Sequence, residues 1–228
     1  MNHFKYFTIC LNIILVVAFA SCKKDSESPP DLRLEGSLTY KGRPLGFKNT
    51  EVTLDLYQPG YAILTAIPCR VNQDGGYAAQ LFPGSYKMTF RRNVAPFYDI
   101  TDSISISVTG NTSKSFEVTP FFYVNEPAFT LKGDSLFATV NIEKIATDRN
   151  LEKVGLYISS SHYCDAIYST GGKAEVAAGD ISNLTNVTLK AKLTPALMQQ
   201  KYLFARVGAK TIGLNAQNYS LVKQVDIK

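Results

Sequence analysis

The chain has 228 residues, which is enough for one large domain or two modest ones. Hydrophobic residues make up 45% of it and charged residues only 19%, a balance typical of exported all-β proteins. The net charge of +5 is weak, and no basic run alternates with aromatic residues, so the composition excludes nucleic acid as a partner. We interpret the basic doublet Arg91-Arg92 as the solvated end of a strand.

The first residues have the features of a signal peptide. Lys5 supplies a positive charge, and an apolar stretch follows over residues 7–20. This stretch is shorter than the about 20 apolar residues that span a bilayer, but it has the length of a signal-peptide core. The alternative is an uncleaved anchor in which the next cysteine occurs by chance.

Phe19-Ala20-Ser21-Cys22 resembles the lipobox of bacterial lipoproteins, with phenylalanine where leucine is usual. In those proteins the cysteine carries a diacylated lipid on its sulfur and, after cleavage, a further acyl chain on its amino group. The resemblance implies that residues 1–21 are removed as a signal peptide and that Cys22 is the lipid attachment site. Two or more chains hold a protein firmly, because each buried methylene contributes about 0.8 kcal/mol.

Residues 22–31 are expected to form a lipidated tether, since they are polar and contain the pair Pro29-Pro30. Asp25 and Glu27, just after the cysteine, resemble the surface-export signal of Bacteroidetes lipoproteins. The expected location is therefore the outer membrane, with the lipid in the bilayer and the folded part exposed at the cell surface.

Period-two alternation of apolar and polar residues predicts a β-sandwich domain over residues 32–119. Turn signals such as Pro59-Gly60 and Pro83-Gly84 separate the strands, and Gly36 predicts a bulge or a close backbone approach. Residues 72–75 are interpreted as a hairpin turn and not as a calcium loop, because the distal glutamate is missing. The inward-facing residues predicted for the successive strands are Leu32, Leu34, Leu38 and Tyr40; Val52, Leu54 and Leu56; Ile63, Ile67, Cys69 and Val71; Tyr77, Ala79 and Leu81; Tyr86, Met88 and Phe90; Ile104, Ile106 and Val108; Phe116 and Val118.

Alternation resumes after Pro120 and predicts a second β-sandwich over residues 120–228. Residues 195–200 are expected to form one helical turn, and residues 160–180 the longest loop. The short, partly apolar junction at residues 119–122 predicts that the two domains pack closely. Tyr202 resembles the tyrosine that locks a corner of fibronectin type III domains by a hydrogen bond. The predicted strands contain Leu136, Ala138, Val140 and Ile142; Val154, Leu156 and Ile158; Val187, Leu189, Ala191 and Leu193; residues 202–209; Tyr219, Leu221, Val225 and Ile227.

Motifs along nearly the whole mature chain resemble one Bacteroidetes lipoprotein family, domain-of-unknown-function family 3823. They are Leu34-Glu35-Gly36, Gly42-Arg43-Pro44-Leu45, Gln58-Pro59-Gly60-Tyr61, Asp74-Gly75, Leu81-Phe82-Pro83-Gly84-Ser85-Tyr86, Pro96-Phe97, Asp102-Ser103-Ile104, Val108-Thr109-Gly110 and Val118-Thr119-Pro120-Phe121. The resemblance implies a transthyretin- or carboxypeptidase-regulatory-like sandwich followed by a fibronectin type III or immunoglobulin-like one. It also implies a polysaccharide-utilisation locus that encodes an outer-membrane importer and its glycan-binding lipoprotein. No catalytic residues are carried over.

The sequence predicts no enzyme, metal site or cofactor. His162 is the one histidine after the signal peptide, and Cys164 and Asp165 follow it in the same loop. A nucleophile or zinc site there would lack its other ligands or partners, so His162 is interpreted as an exposed loop residue. P-loop, nucleophile-elbow and dinucleotide fingerprints are missing. Cys69 and Cys164 are expected to be free, with Cys69 a small core residue.

Carbohydrate binding is the main functional hypothesis, because sugars stack on exposed aromatic rings. The chain has 13 Tyr, 13 Phe and no Trp, and most of these rings fall on inward-facing strand positions. Tyr163 and Tyr168, in the least patterned loop beside His162 and Asp165, are the first candidates for ligand contact. The alternative is a structural or adaptor lipoprotein that contacts outer-membrane importer components without binding a glycan.

The lipobox yields the first testable prediction. Cys22→Ala removes the thiol that receives the lipid, so the precursor should stay unlipidated and should not be cut by the lipoprotein-specific peptidase. Metabolic labelling with a clickable fatty acid measures this directly. Undiminished label in the variant would contradict the assignment of Cys22.

Overall fold

Strands make up almost all of the regular secondary structure in residues 28–60 and 62–227, the part of the chain that the computed structural model describes. The predicted all-β class is therefore confirmed. Asp31–Lys228 forms one compact unit that contains two separate hydrophobic cores. The predicted signal peptide and Cys22 lie outside the described residues, so their assignment stays a prediction.

Two sheets enclose the first core. Their strands are β1 (Leu32–Tyr40), β2 (Arg43–Pro44), β3 (Thr53–Tyr57), β4 (Ile67–Arg70), β5 (Gly76–Leu81), β6 (Gly84–Phe90), β7 (Ile104–Val108), β8 (Thr112–Ser113) and β9 (Phe116–Glu117). β1 pairs antiparallel with β2 and β5 and parallel with β8 and β9, while the second sheet has the order β4-β3-β6-β7. Alternate residues such as Leu34, Leu54 and Met88 are fully buried between the sheets.

Gly36 is the close backbone approach that the sequence predicted. The chain between β8 and β9 brings the Lys114 carbonyl so near that a Cβ at Gly36 would lie 1.8 Å from its oxygen. The Tyr77 hydroxyl donates a hydrogen bond to the same carbonyl. Any larger residue at position 36 would therefore push the parallel strands away from β1.

The strand predicted from Ile63 to Val71 is shorter than expected. β4 begins at Ile67, which pairs with Leu56, and β3 ends one residue later at Tyr57. The preceding residues have no strand opposite them, and Ile63 and Ile67, both expected in the core, are 80% and 36% exposed. The hairpin at residues 72–75 has the predicted turn, in which Asn72 Oδ1 accepts hydrogen bonds from the backbone of Asp74 and Gly76.

Three groups of strands surround the second core. They are β10 (Phe122–Val124), β11 (Ala128–Lys132), β12 (Ser135–Val140), β13 (Ile142–Lys144), β14 (Leu151–Ser159), β15 (Gly172–Ala177), β16 (Val187–Lys192), β17 (Tyr202–Thr211), β18 (Gln217–Tyr219) and β19 (Lys223–Asp226). One sheet has the order β11-β12-β16, a second β15-β14-β17 with β18 and β19 both on β17, and β10 pairs with β13. The expected helical turn is α1 (Pro195–Met198), capped by Thr194.

Two expectations for this half were wrong. The loop predicted over residues 160–180 ends early, because β15 pairs with β14 from Ile158 to Lys153. Two of its three inner positions hold the small residues Gly172 and Ala174, so its alternation was not visible as an apolar pattern. Tyr202 does not close a buried corner, since it is 43% exposed and its ring lies edge-on to Phe204. A tyrosine hydroxyl that bonds to a nearby backbone carbonyl occurs in the first half instead, where Tyr86 donates to the Phe82 carbonyl (2.9 Å).

Arg206 of β17 joins the two cores. Its side chain is fully buried, Nη2 donates to the Phe47 carbonyl (2.7 Å), and the guanidinium lies 3.8 Å from the centroid of the Tyr219 ring. Nε and Nη1 have no hydrogen-bond partner among the described residues, so the aromatic face balances part of the charge. The backbones of Gly46 and Tyr219 are bridged beside it, and a Cβ at Gly46 would lie 2.6 Å from the Tyr219 oxygen.

Glu51 is the acidic group buried near this junction. Its side chain is 13% exposed, and the Lys48 ammonium lies 3.8 Å from Oε1. Burial raises the pKa of Glu51 to about 7, although Lys48 and Arg206 both act to lower it. The cost of removing the carboxylate from water thus exceeds the attraction of the two cations.

The raised pKa of Glu51 predicts how stability changes with pH. The unfolded carboxyl group, with a pKa near 4.5, loses its proton before the folded one as the pH rises. The free energy of unfolding should therefore fall through this interval, by up to about 3 kcal/mol, and stay low above pH 7. Glu51→Gln should abolish that decline in urea unfolding at pH 5 and pH 8. The exposed Glu35→Gln is the control, and an unchanged decline in Glu51→Gln would contradict the assignment.

Candidate functional site

An open cleft of about 460 Å³ lies where residues of the two halves meet. Its volume is within the range of small-ligand sites, about 300–1,000 Å³. Tyr163 and Tyr168 are 57% and 56% exposed, so their rings are available to a ligand. Most of the other lining groups are short hydroxyl or amide side chains. The lining residues are Asn49, Thr50, Ser159, Ser160, Ser161, Tyr163, Tyr168 and Thr170.

Asp165 holds the turn that presents Tyr168. Its residue surface is only 2% exposed, and Oδ1 accepts hydrogen bonds from the backbone N–H groups of Ile167 (2.7 Å) and Tyr168 (2.9 Å). The carboxylate thus replaces a backbone acceptor in an Asx-type turn. The sequence placed Asp165 among the candidate ligand contacts, but the structure gives it a positioning role behind the cleft lining.

His162 attaches the same loop to the first half of the chain. The amide nitrogen of the buried Gln73 lies 2.6 Å from Nδ1 and donates to the His162 carbonyl (2.8 Å). The imidazole ring packs edge-on to Phe204 at 5.4 Å between centroids. His162 is exposed, as expected. It is not part of the cleft lining, but it fixes the backbone just before Tyr163.

Thr50 brings a strained backbone to the cleft. Its φ of 62° is in the left-handed region, which costs a β-branched residue on the order of 1–3 kcal/mol. The Thr50 amide donates to the Val71 carbonyl (3.0 Å), which helps to hold this conformation. Such strain is concentrated at functional sites, and here it places Thr50 at the edge of the cleft.

Sequence reasoning found the two tyrosines of the cleft and missed its other side. The run Ser159-Ser160-Ser161 was visible as a polar segment after an apolar strand, which is a signal for a loop. Asn49 and Thr50 carry no comparable signal. They reach the cleft only because Phe47 and Gln73 contact the second half of the chain.

A second depression, of about 480 Å³, lies over β1 and β5 of the first half. It differs from the cleft in its charged lining, which includes Arg33, Glu35 and Arg70. Arg33 Nε is paired with Glu35 at 2.6 Å, so this surface offers a ligand an ion pair in place of exposed rings. The tyrosine cleft is therefore the better candidate for a neutral, hydroxyl-rich ligand.

Two family models match consecutive parts of the chain. The model described as "Protein of unknown function (DUF3823) N-terminal domain" matches residues 32–119, and "Domain of unknown function (DUF3823_C)" matches residues 122–224. A DUF3823 family protein from Bacteroides ovatus, solved as a crystal structure, is 31% identical with a TM-score of 0.80. The match covers 87% of this chain and 100% of that one. The chain belongs to the DUF3823 family.

Other solved structures extend the comparison. A DUF3823 family protein from Parabacteroides merdae is 29% identical over 87% of this chain and 100% of that one, with a TM-score of 0.79. A Bacteroides uniformis protein described as a candidate carbohydrate-binding protein is 18% identical, over 86% and 99%, with a TM-score of 0.69. At that identity the likeness shows the shared fold. No curated protein matches this DUF3823 chain in sequence.

Neither described cysteine of this DUF3823 chain is exposed or bridged. The Cys164 thiol donates to the Tyr157 carbonyl (3.2 Å), and burial raises its pKa to about 12. Burial raises the pKa of Cys69 to about 11. Both groups therefore remain thiols at neutral pH, and a thiol is a poor nucleophile.

Residues 28–60 and 62–227 contain no group of three or more histidine, cysteine, aspartate or glutamate side chains arranged to hold a metal ion. They also contain no helix with the length and hydropathy needed to cross a membrane.

The buried thiols lead to a prediction about reactivity. In the folded chain that begins at Asp31, a thiol reagent such as Ellman's reagent should react with neither cysteine at pH 8, because both are buried and protonated. Adding a denaturing concentration of guanidinium should release both at once. The measured quantity is the absorbance of the coloured thiolate that the reagent releases when a cysteine reacts with it. Rapid reaction of one thiol without denaturant would show that Cys69 or Cys164 is accessible.

Proposed function

We propose that this DUF3823 protein binds neutral glycans in the cleft that carries Tyr163 and Tyr168. The observation that carries the proposal is the pair of tyrosine rings, each more than half exposed, on one concave surface. Sugar rings present apolar C–H faces that pack on aromatic rings, and the tyrosine hydroxyls remain free for hydrogen bonds. The rings would thus supply apolar contact without a tryptophan.

The polar groups of the cleft suit a ligand without charge. Asn49 offers a side-chain amide, and Thr50, Thr170 and the serines of residues 159–161 offer hydroxyl groups. Amides and hydroxyls both donate and accept hydrogen bonds, as sugar hydroxyls do. None of these lining side chains is acidic or basic, so an anionic glycan would bury its charge there without a counterion.

The proposal includes no catalytic step. Glycoside hydrolysis uses two carboxyl groups on opposite sides of the scissile bond, and the lining residues contribute none. Asp165, the acidic residue of the same loop, accepts two backbone hydrogen bonds beneath the surface. The likeness in fold to the Bacteroides uniformis protein described as a candidate carbohydrate-binding protein agrees with a binding role.

We infer that the protein acts at the outer-membrane surface, held by a lipid on Cys22. The lipobox and the polar tether support this location, as does the resemblance to lipoproteins of polysaccharide-utilisation loci. The protein would then be an accessory component that holds polysaccharide near an importer. An adaptor that contacts the importer and binds no glycan is the alternative.

Binding should be weak for short sugars. Each hydrogen bond contributes about 0.5–1.5 kcal/mol net, and association itself costs at least about 4 kcal/mol. One sugar unit against one tyrosine barely exceeds that cost, so we expect dissociation constants near or above about 1 mM for monosaccharides. A chain that reaches both tyrosines adds contacts without a second association cost and should bind more tightly.

Titration calorimetry of the chain that begins at Asp31 tests this prediction. This segment is the compact unit, and the related crystal structures are covered completely by 87% of the chain. Affinity should rise with the length of a neutral oligosaccharide, and glycans rich in uronic acid should bind less well. Tyr163→Ala and Tyr168→Ala should each weaken binding about tenfold, or about 1.4 kcal/mol.

Tyr202→Ala is the matched control, because Tyr202 is also exposed but lies outside the cleft. Its affinity should equal that of the unmodified chain. Equal losses in all three variants would argue against a site at the cleft. No binding at any length, with an outer-membrane protein recovered specifically from native membranes, would favour the adaptor alternative.

A further inference from the structure

Several apolar side chains are exposed together at one end of the first half of the chain. Ile63 is 80% exposed, Leu64 58% and Phe82 41%, and Ile67 is also exposed. We call these four residues the apolar end. Scattered single apolar residues are common on protein surfaces, but a group of them marks an interaction site.

Strand pairing places these residues at the same end of both sheets. Ile67 pairs with Leu56 near the end of β3, and Phe82 lies in the turn between β5 and β6. The turns on either side touch, since a Cβ at Gly84 would lie 2.8 Å from the Gln58 amide nitrogen. Exposed side chains from both turns therefore share one surface.

The chain enters the fold at this end. Leu32, the first residue of β1, pairs with Leu81, which directly precedes Phe82. Cys22 is ten residues before Leu32, and ten residues of chain reach at most about 36 Å even when fully extended. A lipid on Cys22 would thus keep the apolar end within a short distance of the bilayer.

The opposite end of the first half contacts the second half. Ser37 pairs with Gly76 at the far end of the β1–β5 ladder, and Gln73, in the turn before β5, holds His162. The apolar end is therefore the end of the first half that faces neither the second half nor the tyrosine cleft.

We propose that the apolar end inserts into the surface of the lipid bilayer as a second membrane contact. The proposal rests on the lipid attachment that forms part of the proposed function, and it is independent of glycan binding. The short tether makes the bilayer the nearest apolar phase and gives the apolar end a high effective concentration there. The first half would then stand upright, with its strands directed away from the membrane.

A tryptophan reporter tests the insertion. Since the chain has no tryptophan, Leu64→Trp provides a single fluorescent probe at an exposed position. The control is Ile167→Trp, at a 66% exposed position in the second half. The full-length lipoprotein is placed in vesicles of phosphatidylethanolamine and phosphatidylglycerol, with or without brominated acyl chains. Bromine should quench Leu64→Trp about twofold, as expected for a group that lies about 5–10 Å into the boundary region, and leave Ile167→Trp unchanged.

The outcomes separate this proposal from the proposed function. Fatty-acid labelling of each variant establishes first that Cys22 is lipidated, and calorimetry measures glycan binding without any membrane. With the lipid present, Leu64→Trp emission that is the same in brominated and unbrominated vesicles would overturn the insertion. Quenching at both positions would also overturn it, since the chain would then lie flat. Emission from Leu64→Trp that shifts only when outer-membrane proteins are added would assign the apolar end to a protein partner.

Discussion

The contact between Arg206 and the Phe47 carbonyl is the constraint on which the arrangement of the two cores depends. Burial lowers the pKa of this guanidinium, and only one of its nitrogens has a described hydrogen-bond acceptor. A buried cation with so few partners adds little net stability. We infer that its role is to fix one relative position, because it donates to the Phe47 carbonyl of the first half while its guanidinium lies on the Tyr219 ring of the second half.

The tyrosine cleft exists only in that relative position. One wall, Asn49 and Thr50, belongs to the first half, and the other belongs to the loop that Gln73 holds through His162. A ligand that touches both walls must therefore favour the assembled junction, and a change that reduces the population of the assembled junction must weaken ligand binding in proportion. Glu51 follows Thr50 in the chain, so the buried carboxyl group whose pKa is raised lies next to the same wall.

The sequence could predict what depends on neighbours along the chain and not what depends on distant ones. Alternation in β6 and β16 predicted strands because each buries every second residue. It failed at Ile63, where no partner strand is present, and at Gly172–Ala177, where glycine and alanine occupy two of the three inner positions. Tyr163 and Tyr168 were found because they break the pattern. The role of Asp165 was not predicted. An aspartate that accepts hydrogen bonds from two backbone N–H groups cannot be distinguished in sequence from one that contacts a ligand.

The proposed membrane contact and the proposed glycan site lie at opposite ends of the first half of the chain. β1 has nine residues, and at about 3.3 Å per residue it spans roughly 30 Å. With the apolar end at the bilayer, the first half acts as a spacer that lifts the tyrosine cleft by about that length. A polysaccharide could then reach Tyr163 and Tyr168 without approaching the membrane surface. In this arrangement the height of the cleft would be set by folded strands, whereas a flexible linker alone would not fix it.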